Sequence, residues 1–295
     1  MREKIKNLVY IVLILIGLPL VVTLLFQGKE LLPEYEELST EQDSVQEEDL
    51  LPVYVGILAK EMPADYEEEA LKAQAVLVRT NYAYALANGK EVEKGYTMAE
   101  QQELLERENY SRYYGLLESC VRQTAGQVLC YQGELIECPF FSVSAGMTRG
   151  AQGGQEYLQS VDSGWDMTSE DFLHVMFYDK EDFLQECLLA YPECGLTQEN
   201  LSEQFSITDR EESDYVKTVQ LGTISVDGEE LRNVFSWDSA AFTFREVDDK
   251  IRIVTKGLGH GYGMSLYGAN ELAKDGKSYE EILHTYFTGV TIENE

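Results

Sequence analysis

The sequence predicts an α+β fold, with mixed helices and antiparallel strands around a cleft and an N-terminal transmembrane helix ahead of them. Three observations lead there. Apolar residues recur at helical spacing in several segments, and short strand-like runs lie between them without regular βαβ alternation. The chain has 295 residues, 44% of them hydrophobic and 11% aromatic, enough to bury a real core. Two motif-like stretches, Glu61-Met62-Pro63 and Gly257-Leu258-Gly259-His260-Gly261-Tyr262-Gly263, lie far apart in the chain, so only a fold can bring them to one cleft.

The first element is Leu8 to Phe26, a run of 19 residues without a charge. As a helix it spans roughly 28 Å, about one hydrocarbon core. Arg2, Lys4 and Lys6 precede it and acids follow, so the positive-inside rule places the start in the cytoplasm and the rest outside. The run ends without an Ala-x-Ala pattern, which favours an uncleaved anchor over a signal peptide. Residues 27–51 hold nine acids and one lysine and read as a self-repelling tether. The expected organisation is therefore anchor 1–26, linker 27–51 and one domain 52–295. The net charge of −30 repels phosphate backbones, so nucleic acid is not an expected partner.

The domain opens on the apolar segment Val53 to Leu58. Asp65 and Glu68 form a capping-box pattern, and Leu71, Ala75, Val78 and Tyr82 follow at helical spacing as far as the Asn88-Gly89 stop. Helices are expected over 97–107 and 114–125, then two strands within 127–137 turned at Gln132-Gly133. Residues 169–191 read as largely helical, with a short helix near 197–204. Lys217 to Val226 and Lys250 to Thr255 read as strands. Residues 265–275 and 278–287 read as helices stopped by Gly276 and Gly289. The five cysteines, Cys120, Cys130, Cys138, Cys187 and Cys194, contain no CxxC pair or zinc spacing. Cys130 and Cys138 could face each other across the hairpin, or most of the five could be buried thiols.

Several side chains could do chemistry. Pro63 keeps Met62 out of the helical region, so Glu61 lies beside a bend against an apolar wall. Desolvation there would raise its pKa and suit it to act as an acid near neutral pH. The plainer reading is a surface glutamate at a helix N-terminus. Lys72 and Arg79 are one heptad apart and could bind an anionic sugar substituent, or Lys72 could simply pair with Glu68. The alternating glycines match neither a dinucleotide fingerprint nor a P-loop, and they allow unusual φ angles and close approach of a ligand or of neighbouring backbone. His260 among them is one of three histidines and has no second ligand nearby. Ser142 and Ser144 are loop hydroxyls able to line a site, without a nucleophile elbow around them.

Together these segments resemble the stage II sporulation protein D family. The resemblance rests on Glu61-Met62-Pro63, Glu69 through Ala75, Arg79-Thr80-Asn81-Tyr82, Phe141 through Gly146, Tyr157 through Val161, Leu231-Arg232, Ser239 to Phe242, Gly259 through Ser265, Glu281-Ile282-Leu283 and Tyr286-Phe287. It implies a strand leading into Glu61, and a lytic transglycosylase that cuts the MurNAc–GlcNAc bond of peptide-free peptidoglycan strands during engulfment. Such an enzyme leaves a 1,6-anhydro end and works beside an amidase and a further membrane protein, outside the cytoplasm. By the resemblance Glu61 is the catalytic acid, and Lys72, Arg79, Ser142, Ser144, His260, Ser265 and Tyr286 contact the glycan. The chain departs from the family at Leu266, where Gln is usual, and at Phe141, where His is common. Some members hold zinc in that region through Cys and His. Here Cys138 remains but the His does not, so no cofactor is expected.

Overall fold

The computed structural model describes residues 47–63, 65–104, 107–151 and 153–294, which belong to one compact unit starting at Glu47. The expected transmembrane run and most of the expected linker lie outside the described residues. Among the described residues no helix is long and apolar enough to cross a membrane.

The unit opens with helix α1 (Glu47–Glu61), not with the strand that the resemblance implied, and it absorbs the last residues of the expected linker. The cause is legible in the burial pattern. Leu51, Tyr54, Val55, Leu58 and Met62 are all buried and recur every three or four residues, the spacing of one helix face. Helix α2 (Glu68–Ala87) follows and is the axis of this half, buried on nearly every side from Ala70 to Thr80. Its expected capping box does not form. Glu67 is the N-cap without a side-chain bond, and its own N–H donates to Asn270 Oδ1 at 2.8 Å. Helices α3 (Met98–Leu104) and α4 (Arg107–Gln123) come next, and α4 packs on both α1 and α2.

The expected hairpin is present as β1 (Gln127–Tyr131) and β2 (Glu134–Leu135), with Gln132 and Gly133 both at positive φ. It joins β11 (Thr291–Asn294) in an antiparallel sheet ordered β11-β1-β2. A two-residue strand β3 (Phe140–Phe141) then pairs in parallel with β10 (Met264–Ser265). Helices α8 (Leu266–Lys274) and α9 (Tyr279–Tyr286) close this half against α2, and α9 carries a formed capping box at Ser278 and Glu281.

Residues 173–256 build a second core. Leu173–Asp179 is a strand, β4, followed by helix α5 (Lys180–Ala190), so the largely helical expectation over 169–191 fails at its first half. The strand turns Met176 and Tyr178 inward, and Leu173, Val175 and Phe177 outward to solvent. Both faces therefore carry apolar residues, and the polar–apolar alternation that marks a strand is erased. β4 pairs with β9 (Lys250–Lys256), which pairs with β8 (Phe242–Val247). A second antiparallel sheet runs β5 (Phe205–Arg210), β6 (Val216–Leu221), β7 (Ile224–Asp227). The four-residue helix α6 (Leu201–Gln204) and helix α7 (Gly228–Phe235) complete the lobe. Phe183 stacks on Phe235 at 4.7 Å, and Phe235 on Trp237 at 4.9 Å. The two sheets are antiparallel and helices α5 and α7 pack against them, an α+β arrangement. All five cysteines are buried thiols. Cys138 is wholly buried, which pushes its thiol pKa well up.

Candidate active site

A cavity of about 650 Å³ opens between the two halves of the motif set. Helix α1 gives Ile57, and helix α2 gives Val78, Asn81, Tyr82 and Tyr84. The segment after α2 gives Lys90, Glu91 and Glu93, the 137–140 segment gives Glu137 and Phe140, and the glycine loop gives His260 and Tyr262. Flat aromatic faces among polar groups are what a sugar-binding cleft needs, since each pyranose ring has apolar C–H faces and a rim of hydroxyls.

Glu61 stands at the rim. It does not itself line the cavity, but Ile57 lies one turn before it on the same face of α1. Its carboxyl is 3.2 Å from Lys60 Nζ, which also bonds Glu93 Oε1 at 2.9 Å. Burial raises the Glu61 pKa, contact with Glu93 raises it further, and Lys60 pulls it back part of the way. Met62 is buried behind it, with its carbonyl accepting from Tyr113 Oη at 2.7 Å. The desolvated carboxyl expected beside the Met-Pro bend is what the fold provides.

The cations expected to hold a sugar carboxylate are placed otherwise. Arg79 is 1% exposed. Its guanidinium donates to the carbonyls of Val121 and Gln127 and lies 5.3 Å from the Tyr54 ring centroid. It ties α2 to α1, α4 and β1 from inside the core, and this geometry leaves it no route to a substrate. Lys72 Nζ bonds Glu68 at 3.0 Å and Glu69 at 2.8 Å. Burial opposes its charge, but the two carboxylates win and push its pKa up to about 12. Glu69 also accepts the Tyr279 N–H, so Lys72 belongs to a joint between α2 and α9. Arg79→Ala should therefore destabilise the fold by about 3 kcal/mol, because it removes a buried side chain that ties four elements together. Thermal unfolding beside glycan binding by the folded protein checks this: the midpoint should fall and the affinity should hold.

Ser144, Ser265 and Tyr286 also lie inside. Ser265 Oγ donates to Asp166 Oδ1 at 2.9 Å, and the Ser144 N–H donates to Asp166 Oδ2 at 2.9 Å. Tyr286 Oη meets Ser163 Oγ at 3.2 Å, and the Ser142 carbonyl accepts the Tyr267 N–H. None of these four lines the cavity. Asp166, fully buried, pins the 143–146 loop to the start of α8, and burial raises its pKa against the hydrogen bonds that lower it. A lone Asp among 53 acids gave no sequence signal.

The glycine loop is equally internal. A Cβ on Gly257 would lie 2.5 Å from Val143 O, on Gly259 2.7 Å from Phe141 Cβ, and on Gly263 1.9 Å from Pro139 O, and all have φ between +76° and +115°. The space that the glycines clear is taken by the protein's own backbone and side chains, not by a ligand. Phe141 packs its ring 5.6 Å from that of His260. His260 Nδ1 accepts the Tyr262 N–H at 3.1 Å, and burial holds the imidazole pKa below its usual value. Arg149 clamps the loop: it bonds Glu211 at 2.6 Å, Glu229 at 3.0 Å and the His260 carbonyl at 3.3 Å, and sits 4.4 Å from the Tyr262 ring centroid.

Comparison with known proteins shows which family the chain belongs to. Stage II sporulation protein D of Bacillus subtilis (strain 168) is 31% identical over 270 residues, covering 86% of this chain and 77% of its own. The chain belongs to the stage II sporulation protein D family. The family profile described as "Stage II sporulation protein" matches residues 39–131, which include Glu61, Lys72, Arg79 and Glu93. The Bacillus amyloliquefaciens member of the family is 32% identical over 270 residues, with 86% and 76% covered. A protein named "Amidase enhancer" in Bacillus subtilis is 26% identical over 288 residues, covering 80% of this chain and 40% of its own. The stage II sporulation protein D family is thus a sporulation family whose relatives include a protein named for amidases.

Proposed function

We propose that this protein is a membrane-anchored lytic transglycosylase that cleaves MurNAc–GlcNAc bonds in peptide-free glycan strands during engulfment. The observation that carries this is Glu61, a carboxyl whose pKa is raised by burial and by Glu93, which itself lines the aromatic-walled cavity. In the reaction Glu61 protonates the glycosidic oxygen as the C1–O bond breaks. The C6 hydroxyl of the same MurNAc then attacks C1, and the Glu61 carboxylate takes its proton. One carboxyl serves both steps, so the separated pair that hydrolases use to place water or a nucleophile is not required. Glu93 lies beside Glu61, joined to it through Lys60, rather than across the cavity from it. Tyr82, Tyr84, Tyr262 and His260 supply ring faces, and Lys90 is the cation in the cavity wall, 3.1 Å from Glu137.

The apolar run of residues 8–26 would anchor the chain with the catalytic unit outside the cytoplasm. A sporulation amidase and a further membrane protein would act with it, and the name of the amidase-enhancer relative supports the amidase. That name also favours a second reading, a module that activates an amidase without cutting glycan. Incubating the detergent-solubilised chain with peptide-free glycan strands and weighing the ends separates the two. The transglycosylase produces 1,6-anhydro-MurNAc termini with no amidase present. Intact strands, together with a stimulated amidase, would establish the second reading instead.

A further inference from the structure

Helix α1 and the extended segment between α2 and α3 meet at two glycines. A Cβ on Gly95 would lie 2.0 Å from Ile57 N and 2.1 Å from Gly56 C, and one on Gly56 would lie 2.5 Å from Tyr96 O. The Tyr96 N–H donates to the Gly56 carbonyl at 2.9 Å. Backbone therefore rests directly on backbone, and the segment cannot stand off from the helix. Two residues before Gly95, Glu93 is thereby laid against the last turn of α1, where Lys60 Nζ reaches it and Glu61 together. Glu93 also lines the cavity that Glu61 borders.

We propose that Glu93 is a positioning residue for the Glu61 acid: its carboxyl, pressed beside Glu61 by the Gly56–Gly95 contact, keeps the Glu61 proton in place, and Lys60 is the counter-charge that limits the effect. This deepens the transglycosylase reading and rests on Glu61 being its acid. The physical reason is that a second carboxylate at hydrogen-bond range makes the charged form of the first costlier, whereas an ammonium makes it cheaper. An acid that must donate near neutral pH needs the former, and one that must later receive a proton cannot have it without limit.

Among the described residues, the segment that carries Glu93 also brings Lys90, which pairs with Glu137 at 3.1 Å, and Glu91, Lys94 and Tyr96. Helix α4 brings Tyr113, whose hydroxyl is spent on the Met62 carbonyl. Helix α2 brings Arg79, which lies over Tyr54 two turns earlier. Helix α3 brings Glu100, bonded to Thr97, and the exposed Glu103. Asp65 lies on the turn that follows and is exposed. Lys60 and Glu93 are the two charges in contact with Glu61.

The test reads the Glu61 carboxyl directly. In the full chain labelled with ¹³C-glutamate, the Glu61 resonance is the one lost in Glu61→Gln, and its midpoint is followed with pH. Glu93→Gln should lower that midpoint by about half a unit or more, Lys60→Met should raise it, and Glu93→Asp should keep most of the wild-type value. The high-pH limb of glycan cleavage should move in the same directions, down for Glu93→Gln and up for Lys60→Met. A merely structural ion pair would not shift the two variants in opposite senses. An unchanged Glu61 midpoint in Glu93→Gln, or movement of both variants the same way, overturns the proposal. Opposed midpoint shifts in a chain that forms no anhydro ends at any pH would leave the cluster standing and remove the transglycosylase reading. Glu93 is 42% exposed at its side chain, so its amide variant should fold.

Discussion

Glu61→Gln should abolish production of 1,6-anhydro ends, with a rate loss of about a thousandfold or more, while the protein unfolds at nearly the wild-type temperature. The amide matches the carboxyl in shape, so it occupies the same rim position beside Lys60 and Glu93. It cannot donate the carboxyl proton to a leaving oxygen, nor take one back from the C6 hydroxyl. Burial already works against charge at this site, so removing the charge costs the fold little. Mass analysis of digested strands and a melting curve are the two measurements. An unreduced rate would remove Glu61 from the mechanism. A lost rate with a collapsed melting curve would place it among the structural residues.

A large effect on stability is expected at Gly263. Gly263→Ala would put a methyl 1.9 Å from the Pro139 carbonyl oxygen at φ +77°, where both the contact and the backbone conformation oppose it. A cost of about 4 kcal/mol or more is expected, because the atoms met first are those of the Pro139 backbone carbonyl, which cannot swing aside as a flexible side chain could. Gly89→Ala is the control. Its φ is also positive, +62°, but nothing lies within 4 Å, so only the conformational cost of about 1 kcal/mol remains. Chemical unfolding of both variants measures the difference, and similar losses at the two positions would show that packing at the glycine loop contributes little.

The parts of the molecule that follow one period were legible in the sequence. The long helix through Leu71, Ala75 and Val78, the Gln132-Gly133 hairpin and the last two helices stand where spacing and stop residues put them. The opening helix was not expected, because the segment read only as apolar and the resemblance implied a strand, although the recurrence of Leu51, Val55, Leu58 and Met62 carried the helical period. The strand at 173–179 was hidden by the opposite fault, apolar residues on its solvent face. At the site, the desolvated Glu61 could be read from Met62-Pro63, because that inference needs only local sequence. The burial of Arg79 could not, since heptad spacing says which residues share a face but not whether the face looks outward. Nor could Glu93, Asp166 and Arg149, whose partners lie 22 to 111 residues away and leave no mark on their neighbours.

The parallel contact between Phe140–Phe141 and Met264–Ser265 bears on how the protein is assembled in time. It joins segments 124 residues apart, and a closure of that length has a larger chain-entropy cost than any of the early helix–helix contacts. Contacts so distant in sequence form late. The helices that carry Glu61 and Tyr82 are built from neighbouring stretches of chain and can collapse first. Until the distant strands meet, the cavity lacks the wall that holds His260 and Tyr262. A chain with only its early helices packed would thus carry the acid without the cleft, and this strand pairing would be a step at which a folding chain becomes a working one.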